Sequence, residues 1–220
     1  MARKTGTQAP RLNAVHLGEL DDRDGDDLHP HGTYEGIRLT GIDLGGRDLS
    51  GIALRESVLD DVHAHETVFR AAGFSDVELS RFNAPVFAAP RVQWRDVSIT
   101  GSRIGSAELY ESSLDSVHFS GSKIGFVNAR GSALQDVLFT DCTIDELDLS
   151  GSKLNRVSFV NTTIRSLNLA HSTLGNVDLR GAEFSEIDGY SALRGATLSS
   201  YQVAMLAASF ATYLGITVED

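Results

Sequence analysis

The chain is short of positive charge and almost devoid of sulfur chemistry. Its 19 Lys and Arg stand against 30 Asp and Glu, a formal net charge of −11 at pH 7. Such a surface repels nucleic acid, so no direct binding to it is expected, and it suits a partner that carries a cationic groove. Cys142 is the only cysteine, which excludes a disulfide within the chain. No stretch approaches the roughly 18 apolar residues of a membrane span, so a soluble protein with no membrane contact is expected. Met1 to Gln8 is small and polar, without the apolar core of a secretory signal. Together with the single thiol, this points to the cytoplasm.

Catalytic patterns are missing too. There is no glycine-rich phosphate loop, no HExxH and no Cys/His cluster with zinc spacing. His63, His65, His118 and His171 fall at outward positions with no matched nucleophile. His29 and His31 flank Pro30 close to several aspartates; a metal reading of this pair is weaker than that of a solvated tail or loose cap. Carboxylates are plentiful, but a convex rod offers no cleft that would drive two of their pKa values apart. No enzyme activity, cofactor, metal or catalytic residue is therefore assigned.

What is present is a beat of five. From Leu39 to Phe184 a core residue recurs at every fifth position, thirty in all, and only Ala64, Ala84, Ala89 and Ala129 are not Leu, Ile, Phe or Trp. Neither a helix nor a flat strand has this period, so the chain must coil and turn a corner at every repeat. Stepping by twenty sorts the positions by type: Phe119, Phe139 and Phe159; Ile104, Ile124, Ile144 and Ile164; Val97, Val117, Val137 and Val157; Ser112, Ser132 and Ser152. Like side chains then lie over like, four five-residue faces to a coil, as an interior of constant cross-section requires. Cys142 falls in one of these inward columns, where a thiol is normally inert. Between Phe82 and Trp94 large and small exchange places: Ala84 and Ala89 take the central position while Phe82 and Phe87 take the site two before it. Trp94 is on the beat and reads as core, and Pro85 and Pro90 read as corner residues. About 7.7 coils at ~4.8 Å each give a rod on the order of 37 Å.

Repeats such as Ser152-Lys153-Leu154-Asn155-Arg156 and Ala182-Glu183-Phe184-Ser185-Glu186 resemble the pentapeptide-repeat family. The resemblance implies an all-β solenoid, a right-handed quadrilateral β-helix of about 20 residues per coil, with the central residue and the small one two before it facing inward. On this reading residues 1–32 are a flexible acidic leader or loose cap, its run Asp21 to Asp27 too charged to bury. Ala14, Val15, Leu17 and Leu20 could line such a cap. Residues 33–188 are the β-helix and residues 189–220 a C-terminal helix and short strand.

In that last segment the frame breaks at Gly189-Tyr190 and resumes one residue early at Leu193 and Leu198. Ser199 or Ser200 is a candidate N-cap, Gly215 a C-terminal left-handed residue, and Ile216-Thr217-Val218 a short strand. The segment is similar to the C-terminal end of Qnr-type quinolone-resistance proteins, where a helix joins two rods tail to tail. That similarity implies a homodimer through Tyr201, Val203, Leu206, Phe210, Tyr213, Leu214 and Ile216; the alternative is an intramolecular end cap.

The surface is unevenly acidic. Asp136, Asp141, Asp145, Glu146 and Asp148 fall within one coil, and no Lys or Arg lies between Arg130 and Lys153; Glu108, Asp148 and Asp188 share a column with Asn128 and Asn168. Several family members mimic DNA and bind DNA gyrase or topoisomerase IV, protecting them from quinolones or other poisons. The resemblance thus implies a partner-binding face of Asp136, Asp141, Asp145, Glu146, Asp148, Glu108 and Asp188. Here the unbroken register leaves no room for the loops of the Gram-negative Qnr members, and the chain looks more like the loopless mycobacterial fluoroquinolone-resistance protein. A scaffold module that docks an unrelated protein is the other reading, and a solvated face that keeps the rod soluble the simplest.

Overall fold

The computed structural model describes residues 6–219. Their central part is a parallel β-solenoid. One sheet contains the eight-residue strands Ala53–Asp60, Gly73–Ser80, Gln93–Thr100, Ser113–Ser120, Ala133–Thr140 and Lys153–Val160, and a second sheet the strands from Asn83–Ala88 to Ala182–Asp188. Each eight-residue strand wraps two faces because its fourth residue is left-handed: Asp76 (φ 57°), Asp96 (55°), Ser116 (58°), Asp136 (55°) and Arg156 (53°). The same conformation recurs five residues on, at Asp61, Arg81, Gly101, Gly121, Asp141 and Asn161. Short polar residues and glycine dominate these corners because they tolerate positive φ best. The five-residue beat is thus three or four extended residues and one turn residue.

The register is n over n+20. Phe119, Phe139 and Phe159 pair in succession, as do Ile104, Ile124, Ile144 and Ile164. Phe139 stacks nearly parallel on Phe119 (centroids 4.7 Å apart) and on Phe159 (5.0 Å). The small polar inward residues form ladders of their own: the Ser112 N–H donates to Ser132 Oγ (2.9 Å), and the Ser132 N–H to Ser152 Oγ (3.1 Å). These hydroxyls satisfy buried backbone groups next to the corners that no strand partner reaches. Phe82, Phe87, Ala84 and Ala89 are all buried, so the exchange of large and small is accommodated inside the core. Trp94 is buried and stacks on Phe74 (5.7 Å), and its indole N–H has no acceptor among the described residues.

Both ends depart from what the sequence suggests. The acidic run, expected to be mobile, supplies a rung: Asp21–Arg23 pairs with Ile37, Arg38 and Leu39. Its charged side chains point to water while its backbone closes the open edge. Arg47 explains the rest of this cap. It occupies an inward position on the beat, two before Leu49, and donates to the carbonyls of Gly25 (2.6 Å), Asp26 (3.0 Å) and Leu28 (2.8 Å). The Tyr34 hydroxyl donates to the Asp27 carbonyl (2.6 Å), and Leu28 is buried.

Residues 6–20 do not cover the coil end either. They run extended down one flank of the rod, so Val15, Leu17 and Leu20 are half-buried against its side and Ala14 is exposed. At the far end, Ala196–Thr197 pairs with Val177 and Asp178, a step of 19 that confirms the early resumption of the frame. The added rungs make nine strand spacings from Asp21–Arg23 to Ala196–Thr197, about 43 Å at ~4.8 Å each.

The C-terminal helix is two short ones, α1 (Ser200–Met205) and α2 (Ala207–Tyr213), broken at Leu206. Ser199 and Gln202 form a capping box, and the buried Gln202 side chain donates to the carbonyls of Leu179 (2.7 Å) and Ala182 (2.8 Å). Gly215 is left-handed (φ 71°), as expected. Ile216-Thr217-Val218 is not a strand, because it finds no partner edge among the described residues.

Two substitutions separate the core's contributions. Phe139→Ala opens a cavity in the middle of the aromatic stack and is expected to cost about 3–5 kcal/mol. Ser132→Ala leaves the buried Ser112 N–H without an acceptor and is expected to cost about 1–3 kcal/mol. Guanidinium unfolding of both variants checks the values and their order.

Candidate functional site

The acids singled out in the sequence divide into two groups. Asp145, Glu146 and Asp148 lie along the strand Thr143–Asp148, and Asp141 stands at the corner before it. Glu108, Asn128, Asp148, Asn168 and Asp188 pair strand to strand in one column. Its acids stand on every second coil, about 10 Å apart at twice the strand spacing. Asp141, Asp145, Glu146 and Asp188 are exposed, while Glu108 and Asp148 are half-buried. Asp148 accepts from the Ser150 N–H (2.9 Å) and lies 3.8 Å from Arg130, the nearest cation in its column's surroundings. Asp145, Glu146 and Asp148 thus flank one edge of the rod, Glu108 and Asp188 lie two coils to either side of Asp148 with Asn128 and Asn168 between, and Asp141 stands one corner away.

Asp136 does not belong to it. It sits two corners away from Glu146 on a four-cornered coil, which is the diagonally opposite edge, and it is buried. Arg156 grips it with Nε and Nη2, both at 2.6 Å, and the Arg11 N–H donates to it at 2.8 Å. The Arg156 hydrogen bonds, helped by Gln135 and the Arg11 N–H, hold its pKa at about 2 against the burial that would raise it. With residues 6–20 in place, this carboxylate is closed to an external partner. The sequence does not reveal this because its cover comes from more than 120 residues away.

Asp136 belongs instead to a ladder of corner residues: Gly36, Glu56, Asp76, Asp96, Ser116, Asp136, Arg156 and Asn176. Residues 6–20 lie against it in reverse order. The Gln8 N–H meets Asn176 Oδ1 (3.3 Å), the Asn13 N–H meets Ser116 Oγ (2.9 Å) and the His16 N–H meets Asp76 Oδ1 (3.0 Å). Asn13 Nδ2 reaches Asp96 Oδ1 (2.9 Å), and Thr7 bonds Thr197 near the last rung. At the other end the strap passes so close to Gly36 that a Cβ there would stand 2.8 Å from the Glu19 carbonyl oxygen. The step of twenty through Glu56, Asp76, Asp96 and Asp136 could have revealed this second acidic column.

At the C-terminal end the expected interface residues also divide. Leu206 is buried and Phe210 half-buried, with the Phe210 ring edge-on to Tyr190 (5.5 Å). These two cap the chain's own last coil. Tyr201, Val203, Tyr213, Leu214 and Ile216 are exposed, and Met205 and Val218 extend the patch.

Half-buried His118 lies 3.1 Å from Thr140 Oγ1, and burial lowers its pKa. Burial raises the pKa of the Cys142 thiol. Among the described residues no group of three or more His, Cys, Asp or Glu is placed to hold a metal ion, and no helix is long and apolar enough to cross a membrane. An open trough on one face is rimmed by Arg55, Arg91 and Arg95, and Arg91 is already tied to Glu111 (2.7 Å).

The Asp136 pKa sets a pH dependence. A carboxyl lowered from 3.8 to about 2 on folding contributes about 2 kcal/mol that is present above pH ~4 and lost as the pH falls toward 2. Asp136→Asn is therefore expected to lower stability near pH 7 and to flatten the fall between pH 4 and 2, as read from urea midpoints across that range.

No family model and no curated protein matches the chain. Among solved structures it is similar to a trypsin-treated variant of QnrB1, a plasmid-mediated fluoroquinolone resistance protein: 20% identical over 92% of this chain and 98% of that one, with a TM-score of 0.50. Full-length QnrB1 is 16% identical over 89% and 98% of the two chains (TM-score 0.35). HetL, a pentapeptide repeat protein involved in heterocyst differentiation regulation in the cyanobacterium Nostoc, is 19% identical over 78% and 91% (TM-score 0.32). At such identities the likeness concerns the fold. With thirty in-frame repeats, left-handed corners and a register of twenty, this chain has the pentapeptide-repeat fold.

Proposed function

We propose that the rod is a non-enzymatic DNA mimic that binds DNA gyrase or topoisomerase IV and modulates it, conferring resistance to quinolones or other gyrase poisons. The observation that carries this reading is the acidic edge: Glu108, Asp148 and Asp188 repeat along the rod axis, and Asp141, Asp145 and Glu146 widen the stripe around Asp148. A row of carboxylates on a stiff straight support presents negative charge at regular intervals, as a phosphate backbone does, to a groove built for it. The fold likeness to a fluoroquinolone resistance protein supports the same direction. The chemistry remains the topoisomerase's own; the rod acts by occupying its DNA-binding surface.

The exposed patch of Tyr201, Val203, Tyr213, Leu214 and Ile216 supports a homodimer joined at the C-terminal ends, which would double the length of the acidic edge. Apolar surface of this kind on one end of an otherwise polar rod favours association. Light scattering at micromolar concentration is expected to give twice 23.7 kDa; a monomeric mass rules the dimer out.

Gyrase supercoiling, titrated with the protein with and without a fluoroquinolone, tests the main reading. Inhibition or rescue is expected at micromolar protein, weaker at high salt because exposed charges are screened. The triple variant Asp145→Lys, Glu146→Lys, Asp148→Lys is expected to lose the effect while keeping its fold. An unchanged effect in that variant excludes this edge. No effect of the parent in either arm transfers the rod to the role of a scaffold for an unrelated protein.

A further inference from the structure

The second acidic column and its occupant are independent of the edge discussed above. Residues 6–20 are extended, and from Gln8 at Asn176 to His16 at Asp76 eight residues descend five coils. At ~4.8 Å per coil that is about 3 Å per residue, the rise of an extended or polyproline-type chain. The attachment is made mostly by main-chain N–H groups: those of Gln8, Arg11, Asn13 and His16 donate to side-chain oxygens of the ladder. Such contacts read an extended backbone and are largely indifferent to its side chains.

Two features make this segment a replaceable occupant. None of residues 6–20 is buried; Pro10, Leu12, Val15, Leu17 and Leu20 are only half-covered. The segment forms no sheet ladder, so it belongs to the part of the molecule that opens at least cost. It also leaves the column's charge largely unmatched. Among the described residues Asp136 alone of Glu56, Asp76, Asp96 and Asp136 has an ion-pair partner, Arg156. Asp76 and Asp96 receive only neutral donors: the His16 backbone and the Ser75 hydroxyl for Asp76, and the Asn13 amide for Asp96.

We propose that the corner ladder running from Glu56 to Asn176 is a docking track for an extended, basic polypeptide segment of another protein, and that residues 6–20 occupy it in its absence. A Lys or Arg at the place of Asn13 or His16 would give Asp96 or Asp76 a charge-assisted bond, which is stronger than the neutral one it displaces. The incoming segment would gain the same main-chain bonds that the strap gives up. The partner chemistry is thus specified: an extended segment with cationic side chains about three residues apart, at the places of Asn13 and His16.

The test uses the full chain and a labelled synthetic peptide of residues 6–20 carrying Asn13→Lys. Hydrogen exchange is expected to show the Arg11, Asn13 and His16 amides opening at least about 100-fold faster than that of Val137, by local release. The peptide is expected to bind saturably, to accelerate exchange of those three amides further, and to lose at least about tenfold in affinity in the Asp76→Asn, Asp96→Asn double variant and at high salt. The double variant leaves the acidic edge intact, so its gyrase behaviour should match the parent's. Strap amides that exchange only with global unfolding overturn the proposal. So do absence of saturable binding, binding that leaves strap exchange unchanged, and equal affinity in the double variant.

Discussion

The whole molecule depends on keeping residue n over residue n+20. A parallel solenoid has no globular centre; each coil buries its inner face on the two beside it, so any error in coil length would misalign every later rung. The left-handed corners keep that length constant. Because a left-handed corner falls at the same position coil after coil, as at Asp76, Asp96, Ser116 and Asp136, the strands between them stay equal and their side chains stack on like partners. The aromatic stack of Phe119, Phe139 and Phe159 and the hydroxyl ladder of Ser112, Ser132 and Ser152 both follow from that one register.

This register also explains what could be read from the sequence. Periodic constraint leaves a periodic trace, so the coil of twenty, the inward columns, the exchange of Phe82 and Phe87 with Ala84 and Ala89, and the early frame after Gly189 are all visible in the residue order. Features made once leave no such trace. Arg47 looks like a polar fault in an inward column until the carbonyls of Gly25, Asp26 and Leu28 are seen around it. Asp136 looks like one more surface acid, yet Arg156 and the Arg11 N–H enclose it. The acidic edge was legible because it lies in columns; the cover over the opposite corner was not, because residues 6–20 have neither strand nor helix periodicity.

Charge on this rod is therefore distributed by corner. One edge bears carboxylates that are mostly exposed, with Arg130 near Asp148, and the edge diagonal to it bears a comparable column held under backbone donors and Arg156. Net charge alone would not separate them. A surface that repels polyanions overall thus carries one of its acidic columns beneath residues 6–20.

The strap also fixes an order of events during synthesis. Gln8 docks on Asn176 and Thr7 on Thr197, separations of 168 and 190 residues. Residues 7 and 8 therefore wait for their partners until nearly the last coil has been made. Coils between can form one upon another as they emerge, since each needs only its predecessor. Closure of the strap comes at the end, and it ties the last rung back to the first. A solenoid that would otherwise fray coil by coil from its finished end thereby gains a single fastening along its whole length.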